Sequence, residues 1–152
     1  MPPDDALLDL LRRFQDEGVD YVLIGGQAVR LNGFVRATED IDILLPSSAD
    51  NGRRVIRALG FLKSSKDLDP AWFEVDPEQP ENIRVADNLL IDLLFAANGE
   101  DFSSLQPHVR QLEVDGVRIR TLDIDGLLKT KTGYRDKDRI DREALERLRQ
   151  QL

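Results

Sequence analysis

The stretch Tyr21-Val-Leu-Ile24-Gly25-Gly26-Gln27-Ala28, followed by Asp40-Ile41-Asp42-Ile43-Leu44-Leu45, decides how this chain folds. Tyr21 to Ile24 is a short apolar run of strand formers, ended by Gly25-Gly26. Gln27 to Leu31 has room for about two helical turns before Asn32-Gly33. Asp40 to Leu45 is a second strand, closed by Pro46. The unit reads as strand, glycine turn, short helix, strand. Side chains alternate along a strand, so Asp40 and Asp42 leave on one face while Ile41, Ile43 and Leu45 enter the core on the other. Two carboxylates that close repel unless a cation lies between them, and magnesium is held by a few carboxylates together with substrate phosphates.

Asp92 is the third acid of interest. It is the only charged residue in the run from Leu89 to Ala97, and a carboxylate in a buried strand needs a partner. If its strand lies beside the one carrying Asp40 and Asp42, the three can hold two metals and drive an in-line displacement. Gly25-Gly26 supplies a phosphate end, because glycine lets backbone N–H groups approach an anion and the following helix points its positive end at it.

Outward from this unit, Asp4 or Asp5 caps a helix with Leu7, Leu8, Leu11 and Phe14 on one face, and Gly18 stops it. Ser47, Ser48 or Asp50 caps a helix through Val55, Ile56 and Leu59. Residues 63 to 80 read as a loop, with one strand around Trp72 to Val75 and Trp72-Phe73 in the core. Strands follow at Ile83 to Val85 and Leu89 to Phe95. Asp115-Gly116 marks a hairpin between Gln111–Val114 and Val117–Arg120. His108 reads as structural or exposed. Helical spacing returns with Ile124, Leu127 and Leu128, then with Ala144, Leu145, Leu148 and Leu152. The class is α/β (α+β), a small mixed β-sheet flanked by helices.

A chain of 152 residues suits a single domain spanning 1–152. It has no cysteine, so any metal falls to oxygen ligands or to the single His108, which favours hard cations. No apolar run approaches the ~20 residues of a membrane span, and the Met-Pro-Pro-Asp-Asp start has no basic leader, so a cytoplasmic protein is expected. A formal charge of −8 argues against a domain that coats nucleic acid, while leaving room for one nucleic-acid end in a local basic patch.

Gly25-Gly26, thirteen intervening residues and then Asp40-Ile-Asp42-Ile43 resemble the signature of the polymerase-β-like nucleotidyltransferases. The fuller stretch, with Gly33-Phe-Val-Arg36-Ala-Thr38-Glu-Asp40, is similar to the small AbiEii-like proteins, some of which are toxins of toxin–antitoxin pairs, and more loosely to antibiotic nucleotidyltransferases. Lys131 with Gly133-Tyr-Arg135-Asp-Lys-Asp138 resembles the AbiEii-like carboxy-terminal pattern. The resemblance implies a nucleotidyltransferase fold, Mg2+ (or Mn2+), and a nucleoside triphosphate (ATP among the candidates) whose monophosphate is moved to an acceptor hydroxyl. It makes Asp40, Asp42 and Asp92 catalytic and metal-binding, and Gly25, Gly26, Arg36, Thr38, Lys131 and Arg135 nucleotide-binding. Lys131 and Arg135, four apart, are expected on one exposed helical face. Glu39 departs from the pattern without an assigned role.

The acceptor stays open among an RNA 3′ end, a protein and a small molecule, as does an antitoxin partner. The rival readings are a non-catalytic nucleotide-sensing or partner-binding module on the same fold, and a sugar-nucleotide transferase with an Asp-x-Asp metal site. The separate-strand Asp92 and upstream Gly25-Gly26 fit the second rival poorly. For the individual residues, the bland readings are a solvated edge strand for Asp40 and Asp42, a strand-end cap or a buried ion pair for Asp92, neutralisation of nearby acids for Arg36, and a solvated helix face for Lys129, Lys131, Arg135 and Lys137.

Overall fold

The computed structural model of the protein describes residues 4–34, 40–131 and 135–151. Helix α1 (Asp5–Glu17) starts where the Asp4 carboxylate accepts the Leu7 N–H and ends at Gly18 in a left-handed conformation. Strand β1 (Val22–Ile24) runs directly into helix α2 (Gly25–Leu31), and β2 is Asp40–Leu44. Helix α3 (Ala49–Ala58) is capped by Ser48. Strands β3 (Ile83–Ala86) and β4 (Leu90–Leu94) form an antiparallel pair, as do β5 (Val109–Val114) and β6 (Val117–Leu122) around Asp115-Gly116, both at positive φ. Helices α4 (Ile124–Thr130) and α5 (Asp136–Gln150) complete the chain; Leu152 lies outside the described residues.

The strands form one mixed sheet in the order β3-β4-β2-β1-β6-β5. β1 lies antiparallel to β2 and parallel to β6, and β2 lies parallel to β4. Helix α1 packs on α3 and β6, while α4 packs on β6, α2 and α5. Leu10, Leu11 and Phe14 of α1 and Val55 of α3 share one apolar cluster with Ile41 and Ile43 of β2 and Ile91 and Leu93 of β4. The alternation read from the sequence is therefore met: the isoleucines of β2 are buried and its aspartates are only half-buried. Among the described residues no helix is long and apolar enough to cross a membrane.

The segment 63–80 departs from expectation. It contains two 3-10 turns, Lys63–Asp67 and Pro70–Phe73, and no strand near Trp72. Asp69 accepts the Ala71 N–H and Pro70 fixes the first turn position, so the chain winds up there instead of extending. The winding sends adjacent aromatics apart. Phe73 is buried against Gly52, where a Cβ would lie 2.5 Å from its ring, whereas Trp72 stays 51% exposed and is not a core residue.

Candidate active site

β2 and β4 are paired in register with Asp42 opposite Asp92, and parallel neighbours at one register share a face. Asp40 lies two residues earlier on that face. The condition set by the sequence is thus met: β4 lies beside β2 and the three carboxylates come to one side of the sheet. β3 adds a residue that the sequence reading did not single out. Arg84 sits opposite Asp92, and its guanidinium lies 3.6 Å from the Asp92 carboxylate and 3.9 Å from that of Asp40. Its signal was present as a lone cation between Ile83 and Val85 in an alternating strand, but its target depended on strand pairing.

Asp42 sits where its charged form is disfavoured. Burial, and then the neighbouring Asp92 charge, push its pKa up from 3.8 to about 6; Asp40 raises it further, while Lys137 and Lys131 oppose the shift. Gly25 explains part of the burial. Ile24 is paired with Asp42 across β1 and β2, and Gly25, at φ 71°, lies so close that a Cβ would fall 2.1 Å from the Asp42 Oδ2. Only glycine meets both demands. Ile24 precedes α2 and makes no side-chain hydrogen bond to the N–H groups that open this helix at Gly25 and Gly26.

Lys131 and Arg135 are not on one helical face. α4 ends at Thr130, Lys131 has extended backbone, and Arg135 caps the start of α5. Tertiary contacts end α4 there: Arg142 donates to the Leu128 and Lys131 carbonyls, Asn98 to those of Lys129 and Lys131. Nor is Lys131 exposed. Its side chain is 6% accessible and lies 3.1 Å from the Asp141 carboxylate, itself buried. Arg135 is largely exposed and holds buried Asp138 through two hydrogen bonds of 3.1 Å. Sequence reading named Asp138 only as the end of the carboxy-terminal pattern, with no role, and missed Asp141, whose local signal was an apolar-face position on α5 filled by a carboxylate. It also gave no site role to Lys137, whose charge acts on Asp42. Arg36, Thr38 and Glu39 lie outside the described residues. His108 packs beneath Gly126 and pairs with Asp123 at 3.1 Å, a structural contact.

Among the described residues no three His, Asp or Glu side chains are gathered tightly enough to be a ready-made metal site. The chemistry of the donor set is nevertheless that of a hard cation: Asp40, Asp42 and Asp92 offer oxygen alone, Asp42 is destabilised in its charged form, and Arg84 supplies positive charge to the other two.

No protein-family profile matches the chain, and no curated protein matches it by sequence. Several solved structures share its architecture. The lincosamide antibiotic adenylyltransferase LnuA, solved with lincomycin, superimposes with a TM-score of 0.63 at 18% identity, over 96% of this chain and 98% of that one. A candidate nucleotidyltransferase from Thermotoga maritima gives 0.59 at 20% identity, over 96% and 89%. An antigenic nucleotidyltransferase-like protein from Paracoccidioides brasiliensis gives 0.52 at 17% identity, over 94% and 75%. At such identities the likeness is one of architecture, and in architecture this chain has the nucleotidyltransferase fold.

Proposed function

We propose that the chain is a metal-dependent nucleotidyltransferase that moves a nucleoside monophosphate from a triphosphate to an acceptor hydroxyl. One observation carries the reading: Asp42 and Asp92 stand side by side on adjacent parallel strands, Asp40 shares their face, and the start of α2 is laid against Asp42. Fold likeness alone would not support an activity.

Asp40 and Asp42 would hold both divalent cations, Mg2+ or Mn2+, and Asp92 one of them. When bound, the metal supplies Lewis-acid stabilisation of the phosphoryl oxygens and of the leaving group. The chain's own groups do the rest. The Gly25 and Gly26 N–H groups donate hydrogen bonds to triphosphate oxygens at the start of α2. Asp92 orients the acceptor hydroxyl and takes up its proton as the oxygen bonds to the α-phosphorus; the bond to the bridging α–β oxygen breaks and pyrophosphate leaves. Lys131 and Lys137 offset the negative potential at Asp42, consistent with their effect on its ionisation. Lys131 acts here from a buried ion pair and not as a free surface cation. Arg135, Arg36 and Thr38 are assigned to the nucleotide on resemblance alone, and the narrower AbiEii-like, toxin–antitoxin reading stands on the same ground.

Thermal melts with triphosphate, with Mg2+ and with both provide the test. Ligand that binds only the folded state raises stability as RT ln(1 + [L]/Kd). The shift with both should exceed the sum of the two single shifts, and Asp42→Asn should abolish the excess. Equal nucleotide shifts with and without metal would contradict a metal-bridged site.

A further inference from the structure

We propose that Asn98 and Arg142 are positioning residues for Lys131: from two separate elements they fix its backbone, so that its ammonium is already in place when a triphosphate arrives. The inference rests on the transferase reading above and gives a task to two residues which that reading leaves without one. Lys131 is held at both ends. Arg142 Nη1 donates to the Lys131 carbonyl at 3.0 Å and to that of Leu128 at 2.9 Å, and Asn98 Nδ2 donates to the carbonyls of Lys131 and Lys129, each at 3.1 Å. Asp141 takes the other end, 3.1 Å from the ammonium. Neighbouring residues of α5, Asp141 and Arg142, thus grip opposite ends of one lysine.

Helix capping explains only part of this arrangement. The Leu128 and Lys129 carbonyls belong to the last turn of α4 and need donors from outside the helix. Capping does not call for two donors on the Lys131 carbonyl, which follows the last helical residue on extended backbone. Nor does the turn that carries Asn98 need its amide. Asn98 and Gly99, at φ 51° and 79°, form a tight turn in which the Ala97 and Glu100 N–H groups each donate to the other's carbonyl. Asparagine tolerates such backbone, but glycine does so at no steric cost and would serve the turn as well. What the asparagine adds is the donor aimed at Lys131.

The consequence is preorganisation. A lysine is a compact charge on a flexible four-carbon stem, and ordering it at the moment of binding costs affinity. Here that freedom is removed in the folded protein, with the side chain buried. The placement is also tied to the catalytic strand, because the Asn98 turn follows β4, which carries Asp92. An ammonium has three donors, so the bond to Asp141 does not exhaust it.

The experiment compares wild type with Asn98→Gly, which keeps the turn and loses the donor, and with Arg142→Ala, each shown folded by its melt. Two quantities are read. Brief acetylation followed by peptide mass spectrometry measures how far Lys131 is protected, with exposed Lys129 as the internal reference. Calorimetry measures the affinity of the four ribonucleoside triphosphates, each with Mg2+. Lys131 should be protected in the wild type and acetylated several-fold faster in both variants. Triphosphate binding should weaken about tenfold, as expected when a hydrogen bond to a charged group is lost, while the melting temperature of Asn98→Gly stays within about 2 °C of wild type. In folded Lys131→Met with Asp141→Leu, adding Asn98→Gly should cause no further loss of affinity, because residues that act through one another are not additive. A further loss of the same size there, or Lys131 equally protected in all three proteins, would overturn the proposal. Release of Lys131 with unchanged triphosphate affinity would overturn it and leave the transferase reading intact. A folded wild type that binds no triphosphate would sink that reading and the positioning role together.

Discussion

Neutralising Asp42 in the metal-free protein should make it more stable, and only above acid pH. Folding raises the Asp42 pKa from 3.8 to about 6, so the folded state favours the protonated form. Stability from this group is complete below the unfolded value and is lost as pH rises through about 6. Two pH units correspond to ~3 kcal/mol, and partial solvent access reduces this to roughly 2 kcal/mol. Asp42→Asn keeps the shape packed against Gly25 and removes the charge. Denaturant and thermal melts in chelator should therefore find the variant roughly 2 kcal/mol, or roughly 4–8 °C, more stable at pH 7.5. At pH 4 the two proteins should coincide. Acids outside the site titrate alike in both, so the pH dependence of the difference reports Asp42 together with its coupling to Asp92 and Asp40. A variant less stable at pH 7.5, or a gap that does not change with pH, would refute the argument.

Other substitutions probe the supporting structure. Lys131→Ala takes a buried ionic partner from Asp141 and should cost up to ~3–5 kcal/mol, whereas Lys131→Met with Asp141→Leu should recover part of that; chemical denaturation measures both. Gly25→Ala combines positive φ with a collision at Asp42 and should destabilise by more than ~2 kcal/mol, against ~1 kcal/mol for Gly18→Ala, where the left-handed backbone faces open space. Arg84→Ala removes loose, half-exposed ion pairs and should change stability by under ~0.5 kcal/mol, yet strengthen Mn2+ binding to the nucleotide-free protein by removing a competing cation, as read by calorimetry.

The β1–α2–β2 unit was legible because each signal in it is local: alternation in Asp40–Leu44 and apolar strand formers ended by two glycines, which open α2 directly instead of forming a separate turn. The coming together of Asp92 with Asp42 was legible only as a condition, since the sheet order that places β4 beside β2 is a tertiary fact. Arg84 escaped for the same reason, its partners being fixed by register across β3, β4 and β2. Lys131 was misread because helical periodicity says nothing of the side chains, Arg142 and Asn98, that take the last carbonyls of α4 and stop it. Trp72 was misread because an apolar pair looks like core until Asp69 and Pro70 wind it into a tight turn.

Nucleotidyl transfer at the three aspartates leaves its mark in where a labelled phosphate ends up. The protein is incubated with Mg2+ and triphosphates labelled at either the α- or the γ-phosphate, with a cell extract as the source of acceptors, and acceptor-bound label is counted in single turnover. The α-label alone should become acceptor-bound, and Asp40→Asn, Asp42→Asn and Asp92→Asn, each shown folded by its melt, should lose the transfer. Transfer of γ-label, or undiminished α-label transfer by folded Asp42→Asn, would contradict nucleotidyl transfer at these aspartates.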